Sequence, residues 1–244
     1  MTKKKVGFIA NLCIAVTLIG LGIAVFTADL NNLFISVSAP VKNGDRASGN
    51  ISLMFVVDEG TNLTELDKIL ATLKNKSAPA TFFIGGKWAE NNRDYVKKIA
   101  KDFEIGNHAY SNRNMTKMNE AQQFKEIDDT HKIVQSITSA VHVTSSGGET
   151  VVEESAPVDM NLFLPPNADF NKTTLKCAEK LGYRTVIWSR TALGDGILDK
   201  ATRGVAGGDF VLLLPTTGTA LVMHNILNEY AAKRLAIVNI SSNI

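Results

Sequence analysis

The chain is poor in the residues that most often announce chemistry. It has 244 residues but only two cysteines, two tryptophans and four histidines. Cys13 and Cys177 stand in parts of the chain too different to pair, so no disulfide framework holds the fold, and both read as apolar filler. An excess of one charge is also missing. Lys3, Lys4 and Lys5 are the only charged side chains before Asp29. Without them residues 29–244 carry 23 basic and 24 acidic side chains, net −1. A nucleic-acid partner needs a clustered basic face, and nothing here suggests one. What remains, 45% hydrophobic and 20% charged, suffices for a sizeable core, and the length allows one large or two small domains.

The N-terminus carries the plainest topological signal. Behind the three lysines, "VGFIANLCIAVTLIGLGIAVFTA" runs uncharged from Val6 to Ala28. At about 1.5 Å per residue such a helix spans roughly 34 Å, enough for a hydrocarbon core. A cleaved signal peptide would have a shorter apolar region ending at small-x-small. The nearest candidate, "VSAP", lies beyond the run and has proline just after the cut. The expectation is an uncleaved signal anchor over residues 1–28, a single pass in the cell membrane. With the lysines inside, the rest of the chain faces outward.

Residues 29–50 read as a linker, polar in their second half, and residues 51–244 as the folded domain. Ile51–Val57 is a short apolar run of the buried-strand kind. Leu63, Leu66, Ile69, Leu70 and Leu73 fall on one helical face. "PATFFIGG" predicts a second strand, "KWAENNRDYVKKIAKDF" a single amphipathic helix, "EIGNH" a strand end, and Asn119–Thr138 a third helix. Ala140–Asp159 breaks the rhythm with glycines and charge and reads as an exposed excursion. The alternation resumes with strands in "NLFLPP", "RTVIWS" and "GDFVLLLP", a helix closed by Gly182, a helix over Thr217–Lys233 and a last strand in "LAIVNIS". Strand–helix alternation predicts an α/β fold, a parallel barrel or wound sheet with functional residues at the carboxyl ends of the strands.

Those ends hold Asp58 and Glu59, then His108 in "EIGNHAYSNRN", then "PPNADFN", Arg190 with Asp195, and "LPTT". Asp58 and His108 begin a zinc site, but a catalytic zinc ordinarily takes three protein ligands. Four residues after His108, where a second imidazole would complete the grip, stands Asn112, whose amide oxygen is a weak, hard ligand. The plain alternative is that a lone aspartate and a lone histidine are satisfied polar residues at strand ends.

The ordered blocks "SLMFVVDEG", "ATFFIGGKWAEN", "EIGNHAYSN", "LFLPPNADFN", "YRTVIWS" and "GGDFVLLL" resemble the polysaccharide deacetylase family, the NodB-homology domain of carbohydrate esterase family 4. The likeness runs over residues 51 to about 240, particularly to membrane-anchored, sporulation-associated members. It implies a distorted (β/α)7 barrel of the glycoside hydrolase–deacetylase kind. It also implies a metal-dependent hydrolase, with one divalent ion such as zinc, that removes acetyl groups from N-acetylated sugars of peptidoglycan, chitin or related polymers.

Position by position, the resemblance assigns the metal to Asp58, His108 and, in place of the second histidine, Asn112. The base aspartate falls on Val56, the arginine that orients it on Leu164, and the general acid on Leu214. Ala168 replaces the glycine after the prolines, and Thr191 with Gly194–Asp195 replaces the supporting aspartate and aspartate–tryptophan pair. His131, His142 and His224 fall outside the motif positions. Tyr110, Pro166 and Asn167, with Trp88 and Trp188, are candidates to line a sugar groove, although core packing is the plainer reading of both tryptophans. Losing base and acid together removes both proton transfers, each worth about 10²–10⁴ in rate. The expectation is a pseudoenzyme that still binds cell-wall glycan. The alternatives are a weak or altered deacetylase and a structural envelope protein that docks through the excursion.

Overall fold

The computed structural model describes residues 38–139, 141–146, 149–154 and 157–244. The expected signal anchor and the first part of the linker lie outside them. Among the described residues no helix is long and apolar enough to cross a membrane. Ala39–Ile244 form one compact unit.

β1, Asn50–Val57, sorts its side chains by the two-residue period of a strand. Ile51, Leu53, Phe55 and Val57 enter the larger core with the helices, where Phe55 stacks on Phe82 at 4.9 Å. Met54 and Val56 enter a separate hydrophobic cluster with Phe83, Leu162, Leu164, Val186, Phe210 and Leu212. A sheet buried on both faces produces this continuous hydrophobic run.

The other strands of the sheet are β2 (Thr81–Ile84), β3 (Glu104–Asn107), β6 (Leu162–Phe163), β7 (Arg184–Thr185), β8 (Arg190–Thr191), β9 (Phe210–Leu213) and β10 (Ala236–Ile237). They run β7-β6-β3-β2-β1-β9-β8, with β10 paired to the start of β1, and every pairing is parallel. The outer members of this seven-strand path, β7 and β8, are joined through residues 186–189 alone, so the sheet curls until its edges approach. The second apolar cluster fills the inside of that curl.

Helices α1 (Leu63–Asn75), α2 (Gly86–Asn91), α3 (Arg93–Asp102), α4 (Glu120–Thr138), α5 (Lys172–Lys180), α6 (Ile197–Thr202) and α7 (Thr217–Ala232) connect the strands. Asn62 caps α1 by accepting from the amides of Thr64 and Glu65, and Asn119 closes a capping box with Gln122 on α4.

Several elements differ from the sequence reading. The amphipathic stretch expected as one helix is split into α2 and α3 at Asn92, whose φ of −132° and ψ of 45° leave helical space. "RTVIWS" contributes only the two residues of β7, because beyond Thr185 the chain crosses to the other edge. Ile187 donates to the Val41 carbonyl at 2.9 Å and Ser189 to that of Phe210 at 3.1 Å. The excursion is a two-stranded antiparallel ladder, β4 (Val141–Ser146) on β5 (Glu149–Glu154). Its valines and threonines are β-branched, a signal that the glycines and charges obscured.

The polar half of the segment read as a linker is attached to the sheet. Val41 bridges to Val186 and Asn43 to Asp209, and Arg46 meets the buried Asp209 carboxylate at 2.6 Å. At the far end of the chain Ile240 enters the inner cluster, and its amide donates to Thr81 Oγ1 at 3.1 Å.

Candidate functional site

The carboxyl ends of β1 and β3 bring Asp58 and His108 to one pocket. Glu59, Gly85, Trp88, Tyr110, Ser111 and Asn112 complete its lining, and it has room for about one water molecule.

His108 is buried. Its amide donates to the Ile84 carbonyl at 3.0 Å, and Ala109 after it takes a left-handed φ of 58°. Asn107 holds that strained turn: its Oδ1 accepts from the Ala109 amide at 2.8 Å, while its Nδ2 donates to the Ile127 carbonyl at 2.8 Å and the Tyr183 hydroxyl at 3.1 Å. The hydroxyl meets His131 Nδ1 at 2.6 Å. The His108 ring is 2.8 Å through Nδ1 from the Leu164 carbonyl. A carbonyl only accepts, so Nδ1 carries the proton and Nε2 keeps its lone pair. Burial pushes the ring's pKa down to about 4, outweighing the Leu164 hydrogen bond and the Asp58 charge, so the imidazole is neutral at pH 7.

Asp58 is held by its own loop. Its amide donates to Thr61 Oγ1 at 3.0 Å and its Oδ1 accepts from the Gly60 amide at 3.1 Å. Its Oδ2 accepts from Asn112 Nδ2 at 3.0 Å. Asn112 therefore does turn towards Asp58, but with its amide nitrogen rather than the oxygen expected of a ligand. Glu59 points to solvent and pairs with Lys87 at 2.7 Å.

A divalent ion is what the family resemblance implies here, and the donor set does not fit one. Among the described residues no three of His, Cys, Asp and Glu converge. Asp58 and His108 Nε2 are two donors, and the third position presents N–H. In this structure the three residues expected to hold zinc form a hydrogen-bonded Asp58–Asn112 pair beside the neutral imidazole of His108.

The positions that the resemblance gives to the base, its orienting arginine and the acid belong to or border the inner cluster. Val56 (6% exposed) and Leu164 (0%) lie in the apolar cluster inside the curl, and Leu214 packs on it with Ala168, Phe170, Trp188 and Leu193. Trp88 sits in the helix-side core, edge-on to Tyr95 at 6.4 Å, and only touches the pocket. Tyr110 directs its hydroxyl to Glu90 at 2.9 Å. Pro166 is buried, and Asn167, exposed with φ 56°, shares a short 3₁₀ turn with it. Arg190 is no site residue: its guanidinium caps the carbonyls of Lys200, Arg203 and Gly204 at the end of α6. Asp195 is exposed.

Sequence reasoning missed Glu126. This α4 carboxylate is buried, yet accepts from the Ser111 amide at 2.7 Å, Ser111 Oγ at 2.9 Å and Arg113 Nη2 at 2.8 Å. It fixes the loop on both sides of Asn112. Nothing in the helix pattern separates it from the exposed acids nearby.

Comparison with known proteins agrees with this architecture. Residues 45–146 match the polysaccharide deacetylase family. The uncharacterized protein YlxY of Bacillus subtilis is 26% identical over 209 residues, 81% of this chain and 58% of its own length. A peptidoglycan-N-acetylglucosamine deacetylase of Bacillus cereus is 29% identical over 186 residues, 75% of this chain and 58% of its own. The chain thus spans less than two thirds of these curated relatives. Among solved structures, a carbohydrate esterase 4 family pseudoenzyme from Bacillus anthracis superposes with a TM-score of 0.73 at 22% identity, over 84% of this chain and 68% of that one. Residues 45–146 thus match the polysaccharide deacetylase domain, the NodB-homology domain of carbohydrate esterase family 4, and the parallel curled sheet and the order of the strand-end blocks agree with its fold.

Proposed function

We propose that this chain is a catalytically inert member of its family, a membrane-anchored, extracytoplasmic protein that binds cell-wall glycan without deacetylating it. One observation carries the reading: Val56, Leu164 and Leu214 all belong to or pack on one apolar cluster. Hydrolysis of an acetamide needs a group that takes a proton from water and one that gives a proton to the leaving amine. Valine and leucine do neither. His108, neutral with Nδ1 committed to Leu164, offers one lone pair and no ready acid.

Acetate release from acetylated chito-oligomers tests this. The full-length chain in detergent is expected to stay at the blank rate with or without added Zn²⁺, while pelleting with insoluble peptidoglycan in EDTA. Turnover above blank that His108→Ala removes would favour the weak-deacetylase reading and sink this one.

The anchor rests on the uncharged run Val6–Ala28 behind three lysines. A C-terminally tagged chain in intact cells stripped of wall is expected in the membrane fraction, with the tag digested by external protease. A tag protected until the membrane is broken would reverse the orientation.

A further inference from the structure

Asp58 and Asn112 join the ends of two neighbouring segments through a contact that needs no ion. We infer that the Asn112 carboxamide replaces a divalent cation as the bridge between the β1–α1 loop and the β3–α4 loop. The site is thereby a metal-independent cross-link, one substitution short of a metal centre.

Four observations support this. A carboxylate only accepts, so the 3.0 Å contact to Asp58 Oδ2 fixes the amide with its nitrogen inward and its oxygen away. The second oxygen of Asp58 is already satisfied by the Gly60 amide. Asn112 is held in place without an ion, because the buried Glu126 grips Ser111 before it and Arg113 after it. The pocket around the pair has room for about one water molecule. Binding a cation would require Asn112 to turn over and forfeit its bond, and would still gain only an amide oxygen beside two stronger donors. A histidine at position 112 would instead bring a third strong donor to Asp58 and His108 Nε2, the number a catalytic zinc ordinarily takes. The inference does not depend on the inert reading above.

Calorimetric titration of Zn²⁺ into the full-length chain in detergent tests it, with thermal melts in zinc and in EDTA. Wild type is expected to show no binding and one melting midpoint in both media. Asn112→His is expected to bind zinc at micromolar affinity or tighter, and to melt several degrees higher when zinc is well above Kd. Both gains should vanish in Asn112→His/His108→Ala. Asn112→Leu, which keeps the bulk but not the donor, should melt below wild type regardless of zinc. Zinc binding by wild type that His108→Ala abolishes overturns the inference, as does a folded Asn112→His chain that binds none. These results are separable from the activity assay: acetate release by a wild type that binds no zinc sinks only the inert reading, and an inert wild type that binds zinc sinks only this inference.

Discussion

Val56→Asp is expected to lower the stability of the domain by about 3–5 kcal/mol at pH 7, measured by urea unfolding followed by circular dichroism. The substitution restores the carboxylate that the family resemblance places at this position, and the cost comes from what surrounds it. Val56 is 6% exposed and shares its cluster with Met54, Phe83, Leu162 and Leu164, whose side chains carry no hydrogen-bond donor. A carboxylate there gives up its water and finds no partner, so the folded state protonates it and its pKa rises. Part of the loss should therefore return as the pH falls from 7 towards the ordinary carboxylate range near 4. Leu164→Arg supplies the missing cation, and the double variant is expected to be more stable than the summed single effects by about 1–3 kcal/mol. A Val56→Asp chain within about 1 kcal/mol of wild type would show that water reaches the inside of the curl, and the inert reading would lose its main support.

The second large effect is a loss of stability in mild acid, centred on His108. In the folded state burial holds the ring's pKa at about 4, while an unfolded chain takes the proton near the ordinary imidazole value of 6.5. Between those limits the unfolded state binds more protons, so unfolding becomes easier as the pH falls through the window. Above it the ring is neutral in both states and contributes nothing; below it the deficit is complete. One pH unit of separation is worth about 1.4 kcal/mol, so the window amounts to about 3 kcal/mol. Unfolding free energies from pH 7.5 to 4 should trace this slope, and His108→Gln should flatten it by about that amount, since the other three histidines remain in both chains. An unchanged slope in the variant would place the acid sensitivity elsewhere.

The strands and helices were legible where one period dominates. β1 was readable from Ile51–Val57, apolar at every position but Ser52, and α1 from five leucines and isoleucines behind Asn62, which caps it. Two-residue strands such as β6 and β7 were placed but overextended, because the chain's crossing from one sheet edge to the other is set by partners far away rather than by the local pattern. The docked Val41–Arg46 segment was hidden for the same reason. Of the site, the identities were legible and the relations were not. Asn112 could be named as an odd residue at a ligand spacing, but that its nitrogen faces Asp58 depends on Glu126 holding the loop from another helix. Likewise Val56, Leu164 and Leu214 each looked like a single loss, and only the curled sheet shows that they share one apolar interior.

The seating of Ile240 in that interior bears on how the molecule assembles. Its amide meets Thr81 across a separation of 159 residues, and Asn243 Nδ2 meets Ser52 Oγ across 191. Such distant pairings require a large loop to close before they give any return, which slows folding relative to helical domains of equal stability. An N-terminal fragment that stops short of residue 240 can form β1, β2 and their helices, yet its inner face stays open and sticky. During synthesis the apolar surface that displaced the proton-transfer groups cannot close until Ile240 has been made, and until then it is where two nascent copies would adhere.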